Sequence, residues 1–273
     1  MKRHPTARVS RKALHHGKVE AGTRILAEEA PIALVYNGTS HAVMMSTPAD
    51  LEDFAIGFSL NEGIIDARDD LRELTISEGE VGIELRMWLD EAHAARLQQR
   101  HRYLAGPTGC GLCGIDSLQE ATRPLPVVTN NVAFRAVDVI RAVADMQPEQ
   151  GLNRETRAVH AAAFWQPGYG LRALREDVGR HNALDKLAGA LNRANLNAHD
   201  GMIVLTSRVS VEMVQKAAMM RTPVIVAISA PTALALRTAN DAGITIAAIV
   251  RDDGFEIFTH PHRISTEAPA HVA

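Results

Sequence analysis

Two cysteines occur in the 273-residue chain, Cys110 and Cys113, and both lie in Gly-Pro-Thr-Gly-Cys-Gly-Leu-Cys-Gly, residues 106–114. Thiols at this spacing serve a metal knuckle, a dithiol redox couple or a nucleophile that carries sulfur. Structural zinc needs four ligands, and only histidines could supply the missing two. A zinc deaminase needs His-x-Glu followed downstream by Pro-Cys-x-x-Cys. This chain has His160-Ala161-Ala162, without the glutamate, and its cysteines precede that histidine, so no metal is expected. A thioredoxin-like couple sits at a strand end near the chain start, inside a βαβ unit, and that setting is not evident here. Gly106, Gly109, Gly111 and Gly114 instead suit a loop that moves or closely approaches another surface, because glycine accepts backbone angles that other residues avoid. A thiolate on such a loop can attack a sulfane sulfur, hold it as a persulfide and release it elsewhere with help from the second thiol. The spacing does not say which cysteine does which, and an interdomain loop with inert thiols is the plain alternative.

Other chemistry-bearing residues fall at element ends. In Arg-Glu-Asp-Val-Gly-Arg-His-Asn-Ala-Leu-Asp-Lys-Leu, Leu184, Leu187, Ala188 and Leu191 form an apolar helical stripe. Glu176, Asp177, Gly179, Arg180, His181 and Asn182 then lie at the helix N-terminus, where free amides and partial positive charge favour an anion. Capping by Asp177 would account for one acid alone. Ser207, Arg208 and Ser210 follow the apolar run Met202–Leu205, and Ser229, Pro231 and Thr232 follow 223–228. Ligands of open α/β sheets bind at the carboxyl ends of strands, although either turn could also be a simple N-cap. With Arg180 and Arg208, the two turns predict one phosphate-rich pocket. Phe258, Thr259, His260, Pro261, His262 and Arg263 add an aromatic ring and a cation suited to covering a base or a pterin, or else a strand that packs Phe258.

The elements that must position these groups divide the chain. A basic flexible arm is expected over 1–22, an α+β region ending in the mobile cysteine loop over 23–125, an α/β domain over 126–265 and a tail over 266–273. In the first region, 31–37 and 40–46 read as a hairpin around Asn37-Gly38. Thr47 should cap a helix that begins at Pro48, buries Leu51, Phe54, Ala55 and Phe58, and stops at Gly63. Strands follow over 71–77 and 81–89, then a helix over 91–100. In the second region, runs at 202–205, 223–228 and 244–250 alternate with helical stretches, implying a largely parallel sheet covered on both faces. The composition is that of a soluble globular protein, 46% hydrophobic and 22% charged. A net charge of -3 gives no general attraction to nucleic acid or to an anionic membrane. Two cysteines are too few for a disulfide scaffold, which points to the reducing cytoplasm.

Five blocks together resemble the FdhD-type formate dehydrogenase accessory sulfurtransferases: residues 52–65, 108–114, 176–187, 206–218 and 228–236. The resemblance runs in order from about Val35 to Arg263. It implies a cytoplasmic sulfur carrier that accepts sulfur from a cysteine desulfurase as a persulfide. The sulfur would pass to the molybdenum or tungsten bis(molybdopterin guanine dinucleotide) cofactor before insertion into formate dehydrogenase. It implies Cys110 as carrier and Cys113 as assistant, with Phe258–Arg263 touching the cofactor beside the Glu176–Asn182 and Ser207–Ser210 blocks. Arg180 and Arg208 would hold phosphates of the GDP-like moiety, and Asp177 or Asn182 would read the guanine edge. The implied fold is a cytidine-deaminase-like three-layer α/β domain without the catalytic zinc, plus the smaller α+β region, as a homodimer. One departure is Thr156-Arg157-Ala158-Val159-His160-Ala161-Ala162, where many relatives have Thr-Gly-Gly-x-His-Ala-Ala. A non-catalytic chaperone for the cofactor and a thiol oxidoreductase are the rival functions.

Overall fold

The structure is a computed structural model that describes residues 3–104, 124–130 and 132–266. Cys110 and Cys113 lie outside the described residues.

The chain opens with β1 (Thr6–His15) and β2 (Lys18–Ala27), paired antiparallel along their whole length. This corrects the expectation of a flexible arm over 1–22. His16 and Gly17 both take positive φ, 49° and 78°, the two-residue turn that matches strand twist. The hairpin escapes a sequence reading because neither face is consistently apolar.

A four-stranded sheet follows in the order β4-β3-β6-β5, from β3 (Ala30–Tyr36), β4 (Thr39–Ser46), β5 (Leu71–Glu78) and β6 (Ile83–Leu89). The predicted Asn37-Gly38 turn joins β3 to β4, with φ of 47° and 80°. Helix α1 (Leu51–Asn61) lays Phe54, Ala55 and Phe58 on Ile32, Leu34, Leu85 and Met87. It begins later than predicted, at a left-handed Asp50 that makes no side-chain cap. Thr47 is drawn away from capping, because its Oγ1 accepts the Val178 amide (3.1 Å) and its carbonyl accepts Lys186 Nζ (2.8 Å). Helix α2 (Glu91–Leu104) ends this half.

The second half is built on six strands ordered β13-β12-β11-β10-β8-β9. They are β8 (His160–Gln166), β9 (Gly170–Asp177), β10 (Met202–Leu205), β11 (Val224–Ala227), β12 (Thr245–Arg251) and β13 (Gly254–Ile257). Only β10, β11 and β12 run parallel, so the sheet is mixed where a largely parallel one was expected. The short β8–β9 and β12–β13 links leave no room for a crossover, so those strands must return antiparallel. A further two-residue pair joins β7 (Phe134–Arg135) to β14 (Ile264–Ser265).

Both faces of the six-stranded sheet are covered, as expected. Helix α3 (Ala136–Met146) packs Val139, Val143 and Met146 against Trp165, Val204 and Val226. A short helix α4 (Gly151–Thr156) leads into β8. On the other face, α5 (Arg180–Arg193), α6 (Val211–Met219) and α7 (Ala233–Asp241) set Leu184, Leu187, Met213, Val214 and Ala235 on Phe164, Ile203 and Ile225. The halves meet where α1 crosses α5. A Cβ on Gly57 would collide with the Asp185 carbonyl oxygen, and one on Gly189 with that of Asp53. Two glycines thus set how closely the helices approach. No helix among the described residues is long and apolar enough to cross a membrane.

Candidate functional site

The polar turns predicted at the strand ends come together. Beyond β10, the Val209 amide bonds the Ala230 carbonyl (3.3 Å), and the Thr232 amide bonds the Val209 carbonyl (3.0 Å). This stitches the Ser207–Ser210 turn to the Ser229–Thr232 turn at the carboxyl end of the parallel strands. Ser210 stands at the N-cap of α6, and Thr232 caps α7 by accepting the Ala235 amide on Oγ1 (3.2 Å). Ser207 is buried and donates to the Arg208 carbonyl (3.1 Å), whereas the Arg208 side chain is exposed. The first residue of β8, His160, pairs with Asp177, which brings it beside the N-terminus of α5. There Gly179 is the N-cap, and Arg180 and His181 form the first turn.

Arg180 Nε and His181 Nε2 are buried and have no hydrogen-bond partner among the described residues. The Glu212 carboxylate stands 4.0 Å from His181 Nε2, beyond bonding distance. Burial, followed by the Arg180 and Lys216 charges, pushes the His181 imidazole down to about 4. Burial and the Arg180 charge also lower His160. At neutral pH the cluster therefore offers a guanidinium with an unused N–H and a neutral imidazole with an unused nitrogen. Both sit at the positive end of a helix. Buried donors without partners are costly, and an anion with several acceptor oxygens would satisfy them. The donor set fits a phosphate group.

Asp177 and Asn182 have a different place. Asp177 is fully buried and accepts Gly179 N–H (2.7 Å), Asn182 Nδ2 (3.0 Å), Ser46 Oγ (2.6 Å), Thr47 N–H (3.0 Å) and Lys186 Nζ (2.6 Å). Its two oxygens have no capacity left for a guanine edge. The Asn182 Nδ2 is equally committed, donating also to the Met45 carbonyl (2.8 Å). Together they tie α5 to the end of β4, across the seam between halves. Glu176 instead caps α4, accepting the Leu152 and Asn153 amides at 2.8 Å each. Lys186 belongs to this network and is absent from the sequence-derived set. The signal for it was a lysine between Leu184 and Leu187 on the apolar side of the helix. A second buried cation, Lys216, holds Asp185 at 2.9 Å.

The last predicted segment is not brought to the same place. Phe258 N–H bonds the Ile246 carbonyl (2.9 Å), and Thr259 Oγ1 accepts the Ile246 amide (2.9 Å) and donates to the Ile244 carbonyl (2.7 Å). These contacts fix Phe258–Arg263 at the amino end of β12, opposite the stitched turns. Arg263 is buried, its guanidinium donating to the Gly243 (2.7 Å) and Val128 (3.2 Å) carbonyls. Phe258 packs against the helix-covered core, and His260 Nε2 meets the Asn240 carbonyl at 3.0 Å. Pro261 and His262 are exposed, and the His262 ring lies edge-on to His260.

Comparison with known proteins assigns the lineage. The sequence matches the FdhD/NarQ family over residues 27–265, beginning where β2 ends. It is 52% identical to the sulfur carrier protein FdhD of Agrobacterium fabrum over 258 residues, covering 94% of this chain and 95% of that one. It is 47% identical to the protein of the same name from Cupriavidus necator over 266 residues, covering 97% and 91%. The fold superposes with a TM-score of 0.76 on a crystal structure from Desulfotalea psychrophila, provisionally described as a formate dehydrogenase accessory protein. That likeness covers 95% of this chain and 99% of the other at 23% identity. With a family match across nearly its whole length and half its residues shared with such relatives, the chain belongs to the FdhD/NarQ family.

Proposed function

We propose that this chain is a sulfurtransferase that matures formate dehydrogenase, working as a cytoplasmic homodimer. The Cys110 thiolate attacks the terminal sulfur of a cysteine desulfurase persulfide. A new S–S bond forms on Cys110, the old one breaks and the desulfurase thiolate leaves. On delivery, the Cys113 thiolate attacks Cys110 and releases the carried sulfur, as hydrosulfide, to the cofactor. A dithiol reductant then reduces the resulting Cys110–Cys113 disulfide by two electrons. The acceptor is the molybdenum or tungsten bis(molybdopterin guanine dinucleotide) cofactor, bound as substrate, which supplies the metal centre that needs sulfur. Arg180, His181 and Arg208 hold its phosphates, with Ser207, Ser210, Ser229 and Thr232 lining the turns around them. Residues of Phe258–Arg263 meet the cofactor from a second surface.

The observation that carries this reading is the pair of buried nitrogens on Arg180 and His181 at a helix N-terminus, unpartnered among the described residues. Calorimetric titration with GDP tests it. Arg180→Ala removes charge-assisted hydrogen bonds of about 1.5–3 kcal/mol, so affinity should fall roughly tenfold to hundredfold. Unchanged affinity in both Arg180→Ala and Arg208→Ala contradicts the phosphate site. Cys110→Ala separates a carrier from a chaperone: a carrier variant binds cofactor normally yet yields inactive formate dehydrogenase, whereas a chaperone variant still supports active enzyme.

A further inference from the structure

The β1–β2 hairpin has a surface that the carrier chemistry does not use. Fifteen of its twenty strand residues are exposed. A two-stranded ribbon on its own is marginal in water, and α4, which approaches β2, leaves most of this one open. Its register sorts the side chains cleanly. One face carries Leu14, Val19, Ala21 and Ile25 with Arg8 and Lys12, and no carboxylate. Leu14 and Val19 sit directly opposite each other near the tip, 70% and 68% exposed. Hydrophobic residues this open on an ordered ribbon indicate a surface built to be covered.

The same chain has a complementary face. α1 covers one side of the four-stranded sheet, and the other side leaves large apolar residues open. There Val43 and Met45 of β4 and Trp88 of β6 are exposed, with Glu73 directly across from Trp88. Charge agrees. Residues 6–27 hold five basic residues and one acid, whereas the remainder holds 24 basic and 31 acidic residues. Area agrees as well. A ten-residue ribbon is about 31 Å long and roughly 10 Å wide, so one face is about 300 Å². Two reciprocal arms, each covered and covering, give about 1,200 Å², the lower end of stable interfaces.

We propose that the β1–β2 arm is the clasp of a two-fold dimer, laying its Leu14, Val19 and Lys12 face on the outer face of the four-stranded sheet of a second copy. This rests on the homodimer reading above and names its surface. Such a contact is self-complementary, so both arms engage at once.

Sedimentation velocity on the full chain across a concentration series tests it. The wild type should be a dimer. Leu14→Asp/Val19→Asp and, separately, Val43→Asp/Trp88→Asp should each raise the dimer dissociation constant at least tenfold, with the far-UV spectrum and GDP binding kept. Mixing the two variants should restore part of the dimer, because one intact arm-to-sheet contact then forms. A wild type that is monomeric at tens of micromolar overturns the clasp and the homodimer together. A dimer unchanged by the arm variant, or a mixture that recovers nothing, overturns the clasp alone. Dimer loss accompanied by an altered spectrum is resolved with Arg8→Glu/Lys12→Glu, which keeps the apolar residues. Unchanged association in that variant overturns the charge-complementary docking.

Discussion

Asp177 and Lys186 are both fully buried, 2.6 Å apart. The desolvation of two ions is offset only because Asp177 receives four further hydrogen bonds. Removing the cation leaves that carboxylate uncompensated, so Lys186→Met should cost about 3–5 kcal/mol. Denaturant titration checks this, and a loss below about 1 kcal/mol would mean the network tolerates a bare Asp177. His181 titrates in the opposite sense to a salt-bridged histidine. In the folded chain it stays neutral down to about pH 4, whereas an unfolded histidine takes its proton near 6.5. The unfolded state therefore binds more protons in that window, so stability falls as pH drops below about 6.5, and the loss is complete near 4. Thermal melts of the wild type and His181→Gln from pH 7.5 to 4.5 should diverge, the variant losing less on acidification. Parallel profiles would contradict the buried neutral imidazole. At this scale the sequence was half legible. Arg180 and His181 declare themselves as polar residues at a helix start. Asp177 and Asn182 look the same in sequence, but partners more than 130 positions away take them into the seam.

Element by element, local signals served well wherever local chemistry decides. Asn37-Gly38 specifies its turn because both positions need positive φ. Thr47 shows the limit. It carries every local mark of a helix cap, yet its hydroxyl and carbonyl are claimed by Val178 and Lys186 from the other half of the chain. The β1–β2 ribbon was missed because the usual strand signal is burial of one face, and among the described residues this ribbon leaves most of both faces open. The α1–α5 crossing gives the sharpest prediction at this scale. Gly189→Ala drives a methyl group into the Asp53 carbonyl, so the helices must part. Overpacking of this kind costs about 1–3 kcal/mol, and strain at the crossing should place the variant at the upper end. A melting temperature equal to that of the wild type would show that the crossing is looser than the backbone contact requires.

Across the whole molecule, the seam joins a half with a one-sided sheet to a half with a two-sided sheet. The seam is polar and buried as well as apolar: Asp53 binds Arg175 at 2.6 Å and Arg193 at 2.8 Å, while Lys216 reaches both Asp185 and Glu62. The long polar block beginning at Glu176 therefore does two jobs. Arg180 and His181 face the stitched turns, and Asp177, Asn182, Asp185 and Lys186 bind the halves together. The α/β character of the second half was legible from three short apolar runs. The mixed strand directions were not, because direction depends on connection length and not on composition. Placement of Phe258–Arg263 at the amino end of β12 also lay beyond the sequence, since the hairpin after Arg251 turns the chain back along the sheet. A cofactor touching both that segment and the Arg180 turn must reach around one chain or across two.

The central claim is that Cys110 carries sulfur. Its most direct test is the intact mass of the protein after incubation with a cysteine desulfurase and cysteine. The wild type should gain about one sulfur, ~32 Da, in a form removed by reductant. Cys113→Ala should gain it too, and Cys110→Ala should not. No gain in any sample, with the desulfurase shown to load another acceptor, or a gain that survives in Cys110→Ala, would contradict the account.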